Sequence, residues 1–292
     1  MSSPEDPQFE PDPLNRQLQT PAPFVVEPFL PPAEELQPTK PAPKAGEDPV
    51  WTGWDVLQIA GLTLLLTLFV VPLLTVSGAH ILVYPHESWL EVARKPVLAL
   101  LSQLLSYVVV VLYMILLVQS KYRARFFDAI RWNWPGIAGV SFLGVGVLML
   151  GFDILGRFLP MPKTTPFDQF FDRPFDAYLT AAFAVSLGPL IEEIFFRGFL
   201  YPVAARRLGA AWGIFLTALP FGLMHLAQYG YSWGAVLIVF LVGVVLTAVR
   251  AMTKSVAASF LAHVGYNGTL MALAAWSTDG FRHMDKAGLG LF

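Results

Sequence analysis

The chain has 292 residues, 55% of them hydrophobic and only 14% charged, with a formal net charge of -2 and a mean hydropathy of +0.57. A soluble domain carries about a quarter charged residues, so too little polar surface is present to solvate a globule, and lipid is the expected solvent. The near-neutral charge, without a basic stripe, argues against a nucleic-acid partner; the absence of cysteine excludes disulfides, thiolate zinc sites and a cysteine nucleophile.

In chain order, residues 1–50 come first and hold thirteen of the 24 prolines. That density forbids helix and leaves little to bury, so the segment reads as a disordered, proline-rich tail. A signal peptide would need a basic start and a short apolar run. Residues 51–176 read as N-terminal transmembrane helices, 177–276 as the part that carries the polar motifs, and 277–292 as a short tail.

Seven runs are long enough for about 30 Å of hydrocarbon: near 54–76, 97–119, 135–159, 177–205, 211–228, 233–250 and 253–275. The fold class is therefore an all-α polytopic transmembrane helical bundle of about seven spans, eight if one long run hides a broken helix. Trp51 and Trp54 before the first span suit an interface, and Pro135 suits the start of the third. Lys40, Lys44, Lys121, Arg123, Arg125, Arg131, Arg206, Arg207, Arg250 and Lys254 all fall on one side of an alternating seven-span chain. The positive-inside rule then puts the N-terminus in the cytoplasm.

Polar residues stand where lipid excludes them. The fourth span carries Glu192, Glu193 and Arg197; the fifth carries Phe221 and His225; the seventh carries His263 and Asn267. A charge at mid-span costs about 2.5–3.5 kcal/mol on insertion scales, so such groups face protein or a watery cavity. Glu193 and Arg197 are i,i+4 and suit a buried ion pair. Glu192, about 100° away around the helix, needs another partner. Counted from the basic ends, Glu192, His225 and His263 lie roughly 21, 21 and 14 Å deep. A lone mid-span histidine is more often a helix–helix hydrogen bond than a catalyst; the shared depth with a carboxylate, and Asn267 one turn beyond His263, favour chemistry. A carboxylate, two imidazoles and an amide supply a base, a proton carrier and oxyanion donors. Glu192, His225 and His263 also make a ligand set for a divalent metal such as zinc. Asn267 is a poor zinc ligand and a good oxyanion donor, which tilts the reading to a metal-free water. Asp153 and Arg157, i,i+4 in the third span, suit a structural pair. Gly151, Gly156 and Gly243 suit close helix packing.

The motifs Glu192-Glu193-x-x-x-Arg197, Phe221-x-x-x-His225 and His263-x-x-x-Asn267, in that order and each on its own span, resemble those of the type II CAAX prenyl protease and bacteriocin-processing (lysostaphin resistance protein A-like) family of intramembrane proteases. The resemblance covers about residues 178–276. It implies an endopeptidase in which Glu192 and His225 activate a water, His263 and Asn267 stabilise the oxyanion, and Glu193, Arg197 and Phe221 support them. It leaves metal and metal-free mechanisms both open. The implied partners are membrane lipid and a membrane-bound protein or peptide substrate, and short loops with a positive-inside bias suit a bacterial inner membrane. Water must reach Glu192, which predicts a polar cavity open to the cytoplasmic side. Two other classes share these residues: a non-catalytic scaffold of the same fold, and a proton-coupled transporter, against which the lack of an inverted repeat counts.

Overall fold

The computed structural model describes residues 49–162 and 164–284. The proline-rich tail up to residue 48, with Lys40 and Lys44, lies outside the described residues, as do Lys163 and the last part of the C-terminal tail. Among the described residues all regular structure is helical.

Seven helices account for the seven apolar runs. They are α1 (Gly53–Leu82), α2 (Pro96–Lys121), α3 (Gly136–Phe158), α4 (Pro174–Leu208), α5 (Ala210–Met224), α6 (Trp233–Thr253) and α7 (Val256–Ser277). Five of them, α1 to α4 and α6, are long and apolar enough to cross a membrane. The chain is an integral membrane protein, and large side chains such as Phe69, Leu73 and Leu148 point outward at 65, 68 and 80% exposure, as lipid-facing residues do. The other two runs depart from the expectation for a reason. Helix α5 ends at Met224, short of the expected residue 228, and at about 1.5 Å per residue it stops well within a 30 Å core. Helix α7 is long enough, but His263, Tyr266 and Asn267 interrupt its apolar character.

Local chemistry explains the helix ends. Thr52 and Asp55 form a capping box on α1. Proline stands at the start of α2 and of α4. Ser232 and Ser255 accept from the backbone N–H groups of Ala235 and Ala258 to open α6 and α7. Gly209, at φ 84°, makes the turn between α4 and α5 that an L side chain would resist.

Helix α4 carries the main deviation. It bends at Ser186 (φ -118°, ψ -77°), just before Pro189, which has no N–H to continue the ladder. Beyond it, Glu193–Leu200 is wound as a π-helix, in which the amide of residue 202 would bond the carbonyl of residue 197. Residue 202 is proline, so that carbonyl lacks its donor. The side chain of Arg250, on α6, supplies one: its Nε donates to the Arg197 carbonyl at 3.1 Å. Proline and arginine together hold the widened turn that presents both glutamates.

Several local expectations are corrected. Trp54 is exposed, but Trp51 is fully buried; its ring stacks on Phe199 at 4.3 Å and its indole N–H donates to the Phe199 carbonyl at 3.0 Å. Asp55, in the first turn of α1, is buried and receives Lys121 and Tyr122, each at 2.5 Å, tying α1 to the end of α2. Close packing is found at Gly243 and Gly156, as expected, but not at Gly151, and it is tighter elsewhere. A Cβ on Gly146 would stand 2.2 Å from the Ala262 carbonyl oxygen, and one on Gly265 2.3 Å from that of Leu143, whereas Gly151 meets nothing within 4 Å. The tightest approach is therefore α3 against α7, where only glycine lets the two backbones touch.

Candidate active site

The site is built on α4, α5 and α7. Glu193 and Arg197 form the i,i+4 pair at 2.7 Å, both fully buried. The Arg197 guanidinium also donates to the Thr247 hydroxyl at 3.3 Å and to the Gly243 carbonyl at 3.0 Å, both on α6, and lies 4.4 Å from the centre of the Phe221 ring. Every donor edge thus has a partner or a π face, which a guanidinium buried in a bundle requires. Gly243 makes room for this: a Cβ there would stand 2.8 Å from Phe221.

Glu193 accepts from three donors. Its Oε1 accepts from Arg197 and, at 2.9 Å, from His263 Nδ1; its Oε2 accepts from the Ser259 hydroxyl at 2.5 Å. Glu192, by contrast, has a side chain 14% exposed, and its nearest polar contact is His263 Nε2 at 3.8 Å. The two adjacent carboxylates therefore bracket one imidazole from opposite ring nitrogens. Residues 100° apart were expected to serve separate faces; instead both turn towards α7. The difference leaves Glu192 with all its acceptor positions open, while three of the roughly four on Glu193 are taken.

The hydrogen-bond partners also assign the tautomers. Carboxylate and carbonyl oxygens only accept, so His263 Nδ1–H donates to Glu193, and His225 Nδ1–H donates to the Phe221 carbonyl at 2.8 Å. The second bond satisfies a carbonyl in the last turn of α5, where the helix leaves it without a backbone donor. Each ring is left with Nε2 for other work. Phe221, 1% exposed, separates the two histidines, with ring centroids 5.2 Å from His225 and 5.8 Å from His263. Asn267, one turn beyond His263, donates from Nδ2 to the Ala184 carbonyl at 2.7 Å, beside the bend in α4. One amide hydrogen is committed there and one is not. The structure thus places His263 against Glu192, sets His225 across Phe221 from His263, and holds Asn267 by the bend.

Residues 174–269 match the family model described as type II CAAX prenyl endopeptidase Rce1-like. This stretch, about a third of the chain, is similar to the Rce1-like family. It is a protease family, and the match opens at the first residue of α4 and closes two residues past Asn267, so it contains all three motifs. Neither curated proteins nor solved structures give a match.

The Rce1-like region holds more than the motif residues. Sequence reading missed Ser259, Thr247 and the Gly243 carbonyl as partners of the buried pair. A signal for Ser259 existed, since Ser259, His263 and Asn267 are spaced by four and share one face of α7. It also missed Tyr229 in the α5–α6 turn, whose ring lies 6.5 Å from that of His225. As for a metal, two imidazole Nε2 atoms and a carboxylate are suitable donors, each backed by a second hydrogen bond in the case of the rings. As arranged, however, no three His, Asp or Glu side chains among the described residues converge enough to hold an ion.

Proposed function

We propose that the chain is an intramembrane endopeptidase in which Glu192 activates a water against a peptide bond of a membrane-associated substrate. The observation that carries this reading is the inequality of the two neighbouring glutamates: three donors occupy Glu193, while Glu192 has no hydrogen bond among the described residues and keeps a side chain 14% exposed.

In this reading the Glu192 carboxylate takes a proton from water as its oxygen attacks the scissile carbonyl carbon. His225, on the other side of Phe221, accepts from or orients the same water through Nε2. Because His263 Nδ1–H is committed to Glu193, its Nε2 donates only as imidazolium, and the flanking carboxylates are counter-charges for that cation. His263 Nε2–H and the uncommitted Asn267 amide hydrogen then face the negative oxygen of the tetrahedral intermediate. The intermediate collapses with cleavage of the C–N bond. The proton held by Glu192 passes to the leaving amine, and the other product carries a new carboxyl group. Glu193 and Arg197 position His263 without touching substrate.

The family description reads type II CAAX prenyl endopeptidase, which makes a prenylated peptide with a C-terminal CAAX sequence the first probe. Purified protein in detergent is expected to cleave a prenylated peptide ending Cys-aliphatic-aliphatic-X, or a member of a randomised lipidated pool, with products identified by mass. Activity should survive a chelator. Loss to the chelator with recovery on adding zinc would transfer the water to a metal held by Glu192, His225 and His263. No cleavage of any pool member would leave a scaffold or transporter role in place of proteolysis.

We further propose that the N-terminus and the mouth of the site face the cytoplasm of a bacterial inner membrane. Support comes from the basic residues at the ends of α4 and α6 and from His263, which lies about 11 Å from the start of α7 at that end. The chain has no native cysteine, so single cysteines placed near His263 give a clean readout. They are expected to react with a soluble thiol reagent added on the cytoplasmic side; labelling from the outside alone would invert the topology.

A further inference from the structure

Asp153 is the one carboxylate in the bundle near the site that the mechanism does not use. It lies on α3, in Gly151–Leu155. Its Oδ1 accepts from the Tyr266 hydroxyl at 3.1 Å, and Tyr266 is the neighbour of Asn267 on α7. Its Oδ2 is buried with no hydrogen-bond partner. The ion pair expected with Arg157 does not form; Tyr266 takes that place because the close approach of α3 and α7 brings its phenol inward.

The surroundings link Asp153 to the site. The Tyr229 ring lies near that of His225, at 6.5 Å. Tyr266, which donates to Asp153, is next to Asn267 in the chain. Tyr266 therefore joins the helix that carries His263 and Asn267 to a second carboxylate with an empty acceptor.

Among lipid-immersed helices an unfilled carboxylate oxygen is retained at a cost unless a donor arrives, and such a group is by default functional. An extended peptide entering the site leaves water and needs acceptors for its N–H groups. We propose that Asp153 is a substrate-anchoring residue whose Oδ2 receives an N–H donor from the residue next to the scissile bond. This rests on the endopeptidase reading and assigns a new element to it. Asp153 takes no part in proton transfer; it holds the substrate so that the carbonyl meets the water on Glu192. The donor is either a backbone amide or the ammonium of a lysine side chain, and both would be received by the same oxygen.

The test is a cycle on one cleaved peptide, first selected from a randomised lipidated pool by wild-type protein. Each backbone N–H near the cleavage point is then N-methylated in turn, and any lysine is replaced by norleucine. Asp153→Asn is expected to raise KM about tenfold with kcat nearly unchanged. One peptide change should raise the wild-type KM by a similar factor and add less than about twofold on Asp153→Asn. An N-methyl position showing this coupling names the backbone; the norleucine peptide names the side chain. Tyr266→Phe, which removes only the hydroxyl on Oδ1, should shift KM in the same direction and covers the case in which Asp153→Asn fails to fold. Losses that multiply at every position, or a fall in kcat with KM unchanged, would overturn the anchoring role. Absence of any cleavage by wild type is a different failure, which removes the endopeptidase reading and this inference with it.

Discussion

Glu192→Gln is expected to lower peptide hydrolysis by about 100- to 10,000-fold, the range a positioned general base contributes. The amide keeps the size of the carboxylate and loses the ability to take a proton from water. Glu192 has no hydrogen bond among the described residues, and His263 Nε2 stands 3.8 Å from its carboxylate, so the substitution leaves no buried group stranded. The thermal midpoint in detergent should therefore stay within a degree or two of wild type, on the scale of surface substitutions. A variant that kept its activity would move the base elsewhere; one that unfolded would make Glu192 structural.

Arg197→Ala is expected to have the largest effect on folding. It leaves the fully buried Glu193 without its counter-charge and strips donors from Thr247 and Gly243. Removing one partner of a buried pair costs about 3–5 kcal/mol. Folded yield by size exclusion and the thermal midpoint should both fall sharply. Replacing both charges, as in Glu193→Gln with Arg197→Met, should recover much of the yield, because no lone charge remains. It should not recover activity, because His263 Nδ1 then donates to a neutral amide instead of a carboxylate. Arg197→Ala protein with wild-type stability and no activity would instead put the guanidinium in contact with substrate.

Much of the architecture was legible in the sequence, because an apolar run of span length has few structural outcomes in lipid. All seven runs are helices, and the i,i+4 pairing of Glu193 with Arg197 follows from helical spacing alone. What escaped depends on contacts between helices. No periodicity reveals that Trp51 folds under Phe199, or that α3 approaches α7 through Gly146 and Gly265 rather than through Gly151. The Asp153–Arg157 spacing was as good as that of Glu193–Arg197, yet only the second pair forms: the helix tightens to 3-10 geometry over Gly156–Phe158, and Asp153 accepts from Tyr266 instead. The partner of Glu192 was hidden for a further reason. An ideal helix puts adjacent side chains 100° apart, and the widened turn ahead of Pro202 together with the width of one imidazole lets both glutamates meet His263.

The central claim is that a water, activated by Glu192, becomes part of the product. The most direct measurement is cleavage of the selected peptide in water enriched in oxygen-18, with mass analysis of the new C-terminal carboxyl group after a single turnover. The account predicts one labelled oxygen in that carboxyl group with wild-type protein, and no labelled product above background with folded Glu192→Gln. Label incorporated at the wild-type rate by Glu192→Gln would contradict it.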